Sequence, residues 1–157
     1  MKRPEDFMRR ALALGRRNAD SGGGGPFGAV IVRAGEIVGE GWNQVTTLKD
    51  PTAHAEIVAI RDACARLETF SLAGCEIYTS CEPCPMCLGA ILWARLDRMY
   101  YASDRVDAAA AGFDDDVFYR EVALPLHARR LPAVRLLPEE GRAVFAAWAA
   151  NPNKVPY

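Results

Sequence analysis

Apolar Phe7, Met8, Ala11, Leu12, Leu14 and Gly15 recur near a 3.6-residue period, with Arg9, Arg10, Arg16 and Arg17 on the opposite arc. The pattern predicts an amphipathic first helix over 5–20, ended by Ser21-Gly22-Gly23-Gly24-Gly25-Pro26. Two β-rich runs, 28–33 and 36–40, are separated only by Ala34-Gly35 and read as a hairpin. The first run is continuously apolar, as in a strand buried on both faces. A second helix is expected over 53–67, with Thr52 as its N-cap and Pro51 just before it. A third strand at 75–80, a helix over 84–94 opening after Pro83, and a fourth strand at 98–102 follow. An acidic, less regular stretch covers 104–121. Beyond it the pattern predicts a fifth strand at 133–137 and a last helix over 139–150, stopped by Asn151-Pro152.

Because a helix links strands three and four, the pair is expected to be parallel with a right-handed crossover. The hairpin is antiparallel. The expected architecture is therefore α/β, a three-layer α/β/α arrangement with a mixed five-stranded sheet covered by helices on both faces. No internal repeat or linker interrupts it, so residues 1–157 read as one domain. At 157 residues a chain buries roughly 70% of its unfolded surface and needs no disulfide framework.

Charge narrows the choice of partners. Nineteen Lys and Arg against 20 Asp and Glu leave a net charge of -1, so no global basic field collects nucleic acid. No apolar run approaches the roughly 18 residues of a membrane span. Lys2 and Arg3 lead directly to Glu5 and Asp6 without a signal-type apolar segment. The expected location is the cytoplasm, and the expected partner is a small molecule. The glycine run lacks the Gly-Lys-Ser/Thr ending of a phosphate loop and precedes a strand, which disfavours a nucleoside triphosphate.

The chemistry sits in the cysteines. Of five, Cys64 and Cys75 fall within element patterns and read as small buried side chains. Cys84 and Cys87 open the third helix one turn apart, so both thiolates face one side and suit a single metal ion. His54 supplies a third ligand from another helix start, leaving one tetrahedral position for a catalytic water. Glu56, two residues on, is placed to move that water's proton. His54-Ala55-Glu56 with Pro83-Cys84-Pro85-Met86-Cys87 is the signature of zinc nucleobase deaminases. The competing arrangement is a structural zinc with Cys81 as fourth protein ligand, serving an interaction module. His127 lies in a polar, arginine-rich stretch and reads as exposed.

With these motifs in view, the chain resembles the cytidine-deaminase-like superfamily, and within it bacterial guanine deaminases. The likeness rests on Gly25-Pro26-Phe27-Gly28-Ala29-Val30, Asp50-Pro51-Thr52-Ala53-His54-Ala55-Glu56, Thr79-Ser80-Cys81-Glu82-Pro83-Cys84-Pro85-Met86-Cys87 and Ala111-Gly112-Phe113-Asp114-Asp115. The first three also resemble tRNA adenosine deaminases; the fourth and the aromatic C-terminus tilt the choice towards guanine. The resemblance implies one Zn2+ per chain on His54, Cys84 and Cys87, with Glu56 as proton shuttle and Asp115 as second acid, flanked by Asp114 and Asp116. It implies purine contacts from Phe27, Asn43, Ala55 and Tyr157, and hydrolysis of guanine to xanthine and ammonia. It further implies a homodimer in which 151–157 cross to the partner subunit. The runner-up is a tRNA adenosine or other nucleobase or nucleoside deaminase. The six acids and two arginines of 104–121 make a poor surface for phosphates.

Overall fold

The computed structural model describes residues 3–113 and 115–157. They form two compact units, Met1–Tyr119 and Arg120–Tyr157. The first carries α1 (Pro4–Asp20), β1 (Gly28–Arg33), β2 (Glu36–Trp42), the short α2 (Val45–Leu48), α3 (Ala55–Leu67), β3 (Cys75–Cys81), α4 (Pro85–Trp93), β4 (Arg98–Ser103), α5 (Arg105–Ala110) and the start of α6 (Asp116–Ala123). The second holds a 3-10 turn (Leu126–Ala128) and α7 (Pro138–Ala150).

The sheet runs β2-β1-β3-β4. β1 pairs antiparallel with β2 and with β3, whereas β3 and β4, joined through α4, are parallel. The mixed sheet and the parallel pairing of β3 with β4 match the sequence expectation. The hairpin turn has Ala34 at φ 51° and Gly35 at φ 81°, the two positive angles of the tight turns that suit twisted strands.

Three expectations are corrected. Residues 133–137 form no strand, so the described sheet has four strands and not five. β-branched and apolar composition alone made that segment look like a strand, and such a run needs an edge to pair with. The second helix begins at Ala55 with His54 as its cap residue. Thr52 is instead held in a turn, its N–H and Oγ1 both donating to Asp50 Oδ1 at 2.8 and 2.7 Å. The acidic 104–121 stretch is more regular than its composition suggests, because Asp104 caps α5 by accepting from the Val106 and Asp107 N–H groups and α6 follows.

Strand periodicity divides the core. Ala29 and Ile31 face one side, packing with Ala55, Ala59 and Ala63 of α3 and Ile91 of α4. Val30 and Val32 face the other, against Phe7 and Leu14 of α1. This is the three-layer arrangement. α3 lies unusually close to the sheet: a Cβ on Gly39 would stand 2.6 Å from the Ala59 carbonyl oxygen, and one on Gly41 would overlap that of Ala55. Glycine on the strand and alanine on the helix bring the α3 N-terminus down onto the sheet.

Candidate metal centre and purine pocket

Two helix starts meet at the site. His54 precedes α3 and Cys84 precedes α4, each in extended conformation as the cap residue, while Cys87 completes the first turn of α4. Placing both at helix N-termini favours thiolates through the free amides and dipole. His54 Nδ1 lies 3.6 Å from Cys84 Sγ and 3.5 Å from Cys87 Sγ. A tetrahedral zinc with its usual bond lengths to sulfur and nitrogen requires an S···N separation of about 3.6 Å, so the spacing fits that ion. Among the described residues, His54, Cys84 and Cys87 form the group whose ligand atoms all lie within 4.8 Å of one another.

Cys81 stands outside this group. Its Sγ is 3.7 Å from the Asp104 carbonyl oxygen, towards which it donates, and burial pushes its thiol up to about 11. The arrangement with four protein ligands is therefore not the one the fold gathers. In the Cys84 and Cys87 pair, Cys84 is pulled down to about 4, chiefly by the hydrogen bond from Cys87 with His54 adding to it, while Cys87 is raised by that same partner and by burial. Metal binding requires both sulfurs as thiolates and so releases their protons. His54 is raised, first by its hydrogen bond with Cys84.

Glu56 is 7% exposed, with Oε2 3.4 Å from Cys87 Sγ and Oε1 3.4 Å from Thr79 Oγ1. Burial raises its pKa, so it takes up a proton more readily than a surface glutamate. The Thr79 hydroxyl donates towards both the Cys81 carbonyl oxygen at 3.0 Å and Glu56 Oε1, so its one proton is shared between the two acceptors.

A cavity of about 420 Å³ opens over these groups, within the range of small-molecule sites. Its wall includes Phe27, Asn43, His54, Glu56, Cys84 and Asp115, six residues expected from the sequence. Cys87 and Ala55 are fully buried and do not line the cavity. Asp114 lies outside the described residues. Asp116 is directed instead to Arg105, 3.9 Å away. Tyr157 is 75% exposed and belongs to the second unit.

Phe113, quoted above only as part of a motif, joins Phe27 on the wall, the rings edge-to-face at 4.8 Å and 81°. Its position after Gly112, with φ of 92°, is a turn signal that could have marked it. Asn43 accepts the Val45 N–H on Oδ1 at 3.3 Å, which leaves its two N–H donors for other partners. The site thus combines a metal-ligand triad, a buried proton acceptor, aromatic faces and an amide donor.

Similarity to known proteins agrees with this chemistry. A family model of the cytidine and deoxycytidylate deaminase zinc-binding region matches residues 1–103. The chain is 50% identical over 153 residues to guanine deaminase of Bacillus subtilis (strain 168), covering 98% of each. The crystal structure of guanine deaminase from Bacillus subtilis matches with a TM-score of 0.96 at 49% identity, over 99% of both chains. With a tRNA-specific adenosine deaminase of Aquifex aeolicus the identity is 46% over 99 residues, 63% of this chain and 65% of that protein. Among the described residues no helix is long and apolar enough to cross a membrane. The same residues that gather around His54 carry the family pattern, and the chain belongs to the cytidine and deoxycytidylate deaminase zinc-binding family.

Proposed function

We propose that the protein is a zinc-dependent aminohydrolase that converts guanine and water to xanthine and ammonia. The observation that carries this reading is that Glu56, His54 and Cys84 line one cavity with aromatic walls, and Cys87 completes the metal-ligand triad with the latter two. Guanine is favoured over a tRNA adenosine because likeness to a guanine deaminase runs through 98% of the chain, whereas likeness to the Aquifex tRNA enzyme covers 63%.

Zinc, when bound by His54, Cys84 and Cys87, supplies Lewis-acid activation of a water nucleophile. The remaining steps fall to side chains. Glu56 takes a proton from the water as its oxygen adds to C2 of the base, and returns it to the neighbouring ring nitrogen that gains electron density. The C2–N bond then breaks as the C2 hydroxyl loses its proton and becomes the carbonyl, and a proton passed to the amine through Glu56, Asp115 or both lets it leave as ammonia. Asp115, on the cavity wall, is the second acid beside that amine. Phe27 stacks on the purine, a contact worth ~1–3 kcal/mol for a base on an aromatic ring. Asn43, on the cavity wall, donates to a ring acceptor.

We assign the working form as a homodimer with one functional domain per chain, in which residues 151–157 cross to the partner and Tyr157 closes that partner's site. Exchange of an identical element is a low-cost route to a symmetric dimer. In support, Leu131, Val134, Leu136 and Phe145 are each at least 76% exposed, an apolar surface that a second copy would cover. Five free thiols fit a reducing compartment, consistent with the cytoplasm.

The deciding experiment measures ammonia release from guanine, guanosine, adenine, cytosine and a tRNA substrate. Release from guanine at a kcat/KM at least ~10³-fold above the others is expected, because buried polar groups reject analogues that leave them unpaired. Preference for the tRNA would overturn the reading. Removing residues 155–157 should leave zinc and folding intact while sharply lowering guanine turnover, since the site would lose a wall and admit water.

A further inference from the structure

The glycine run and Asn18 are unexplained by the chemistry above, and the structure brings them together. Asn18 lies on the buried face of α1 and is 6% exposed. Its Nδ2 donates to the Gly25 carbonyl oxygen at 2.9 Å and to the Asn43 carbonyl oxygen at 2.8 Å, using both hydrogens of one nitrogen. These two carbonyls sit where β1 and β2 part. The last rungs are the Gly28 and Trp42 pair and the Asn43 N–H, which donates to the Phe27 carbonyl oxygen at 3.1 Å. Beyond them the ladder stops, and Asn18 supplies the donors that a third strand would have supplied. The Gly25 oxygen also accepts the Phe27 N–H at 2.9 Å.

The glycines wrap this side chain. The Gly23 N–H donates to the Asn18 carbonyl oxygen at 3.1 Å, and a Cβ on Gly23 would stand 2.7 Å from Asn18 Oδ1. At Gly24 φ is +148°, and a Cβ there would lie 3.2 Å from Asn18 Nδ2 and 3.0 Å from the Asn43 oxygen. Larger residues would displace the loop from the amide it encloses.

We propose that Asn18 is a positioning residue of the purine site, one amide that pins the segments bearing Phe27 and Asn43 and thereby sets the gap between the stacking ring and the hydrogen-bonding amide. This rests on the reading of the cavity as a purine pocket. Asn18 touches neither the metal ligands nor Glu56, which are carried by α3 and α4. Its loss therefore removes binding that ground and transition states share, raising KM more than it lowers kcat. Asp has no donor to replace it. Ser has one, on a shorter arm.

The test compares Asn18→Ala and the milder Asn18→Ser with the parent in zinc content, guanine kinetics and amide hydrogen exchange. The expected result for Asn18→Ala is one zinc per chain, KM raised at least about tenfold and kcat lowered less than about threefold. In an Asn43→Ala background the effect of Asn18→Ala on KM should shrink, as coupled residues require. Exchange should quicken at 23–27 and 43–46 while α3 and α4 stay protected. Effects on KM that multiply in full, a fall confined to kcat, or faster exchange across the whole chain would each overturn the assignment. Should Asn18→Ala not fold, Asn18→Ser carries the same comparison. If the parent does not act on guanine, the functional reading fails, and the exchange pattern alone then decides whether Asn18 pins these two segments.

Discussion

Adding one methyl group at Gly39 tests how the fold holds its metal site. In Gly39→Ala the new Cβ would meet the Ala59 carbonyl oxygen at 2.6 Å, the Ala63 Cβ at 2.7 Å and the Ala63 nitrogen at 2.8 Å. Comfortable contacts to carbon lie at about 3.5–4.0 Å, so α3 must retreat by roughly 1 Å. Two of the three obstacles are backbone, so no rotamer change relieves them. Overpacking of this kind costs about 1–3 kcal/mol, and the lower chain entropy of alanine returns roughly 0.5–1 kcal/mol of it. A net loss of up to about 2.5 kcal/mol, and of about 1.25 kcal/mol at the middle of these ranges, lowers Tm by a few degrees at this chain length. His54 and Glu56 travel with α3, whereas Cys84 and Cys87 stay with α4. A misplacement of about 1 Å between catalytic groups costs on the order of 10²-fold in turnover. Thermal melting, zinc stoichiometry and ammonia release well below Tm read the three consequences separately. A variant that melts within about 1 °C of the parent and keeps its turnover would refute the close-approach argument.

Other outcomes follow from the site and its supports. Glu56→Gln should keep its zinc and lose kcat by ~10²–10⁴; a parent-like kcat places the proton shuttle elsewhere. Cys84→Ala or Cys87→Ala should abolish both bound zinc and ammonia release, and one zinc per chain in either active variant would contradict the ligand set. Asp115→Asn should lower kcat for guanine far more than Asp116→Asn, since Asp115 lines the cavity and Asp116 faces Arg105; equal small effects would remove the second acid from the mechanism. Hydrogen bonding from Arg10, against opposing burial, holds the Glu40 carboxyl below its ordinary value of 4.5. A depressed folded value means that the pair stabilises the fold above about pH 4.5 and loses this contribution as pH falls through the folded value. Glu40→Gln should therefore lower Tm at pH 7 and converge with the parent in acid; a gap in Tm that persists at low pH would show that charge is not the cause.

Local order was legible along the chain because it depends on neighbours in sequence. The spacing of Phe7, Ala11 and Leu14 defines a helix face, Ala34-Gly35 defines a hairpin, and a helix between two strands implies parallel pairing. The metal ligands were legible for the same reason: Cys84 and Cys87 are one turn apart whatever surrounds them, and His54-Ala55-Glu56 sets a ligand beside a proton acceptor. What the tertiary structure decided concerns distances between elements distant in the chain. It left 133–137 out of the sheet, chose His54 over Thr52 as the α3 cap, and separated Asp115 from Asp116 by the wall each one faces. Asn18 illustrates the boundary. Its place on the buried stripe of α1 was readable from helical spacing, but its two acceptors, 7 and 25 residues away, exist only once β1 and β2 diverge beside it. Periodicity records which side of an element is buried; the partner found there is set by packing, which no local pattern contains.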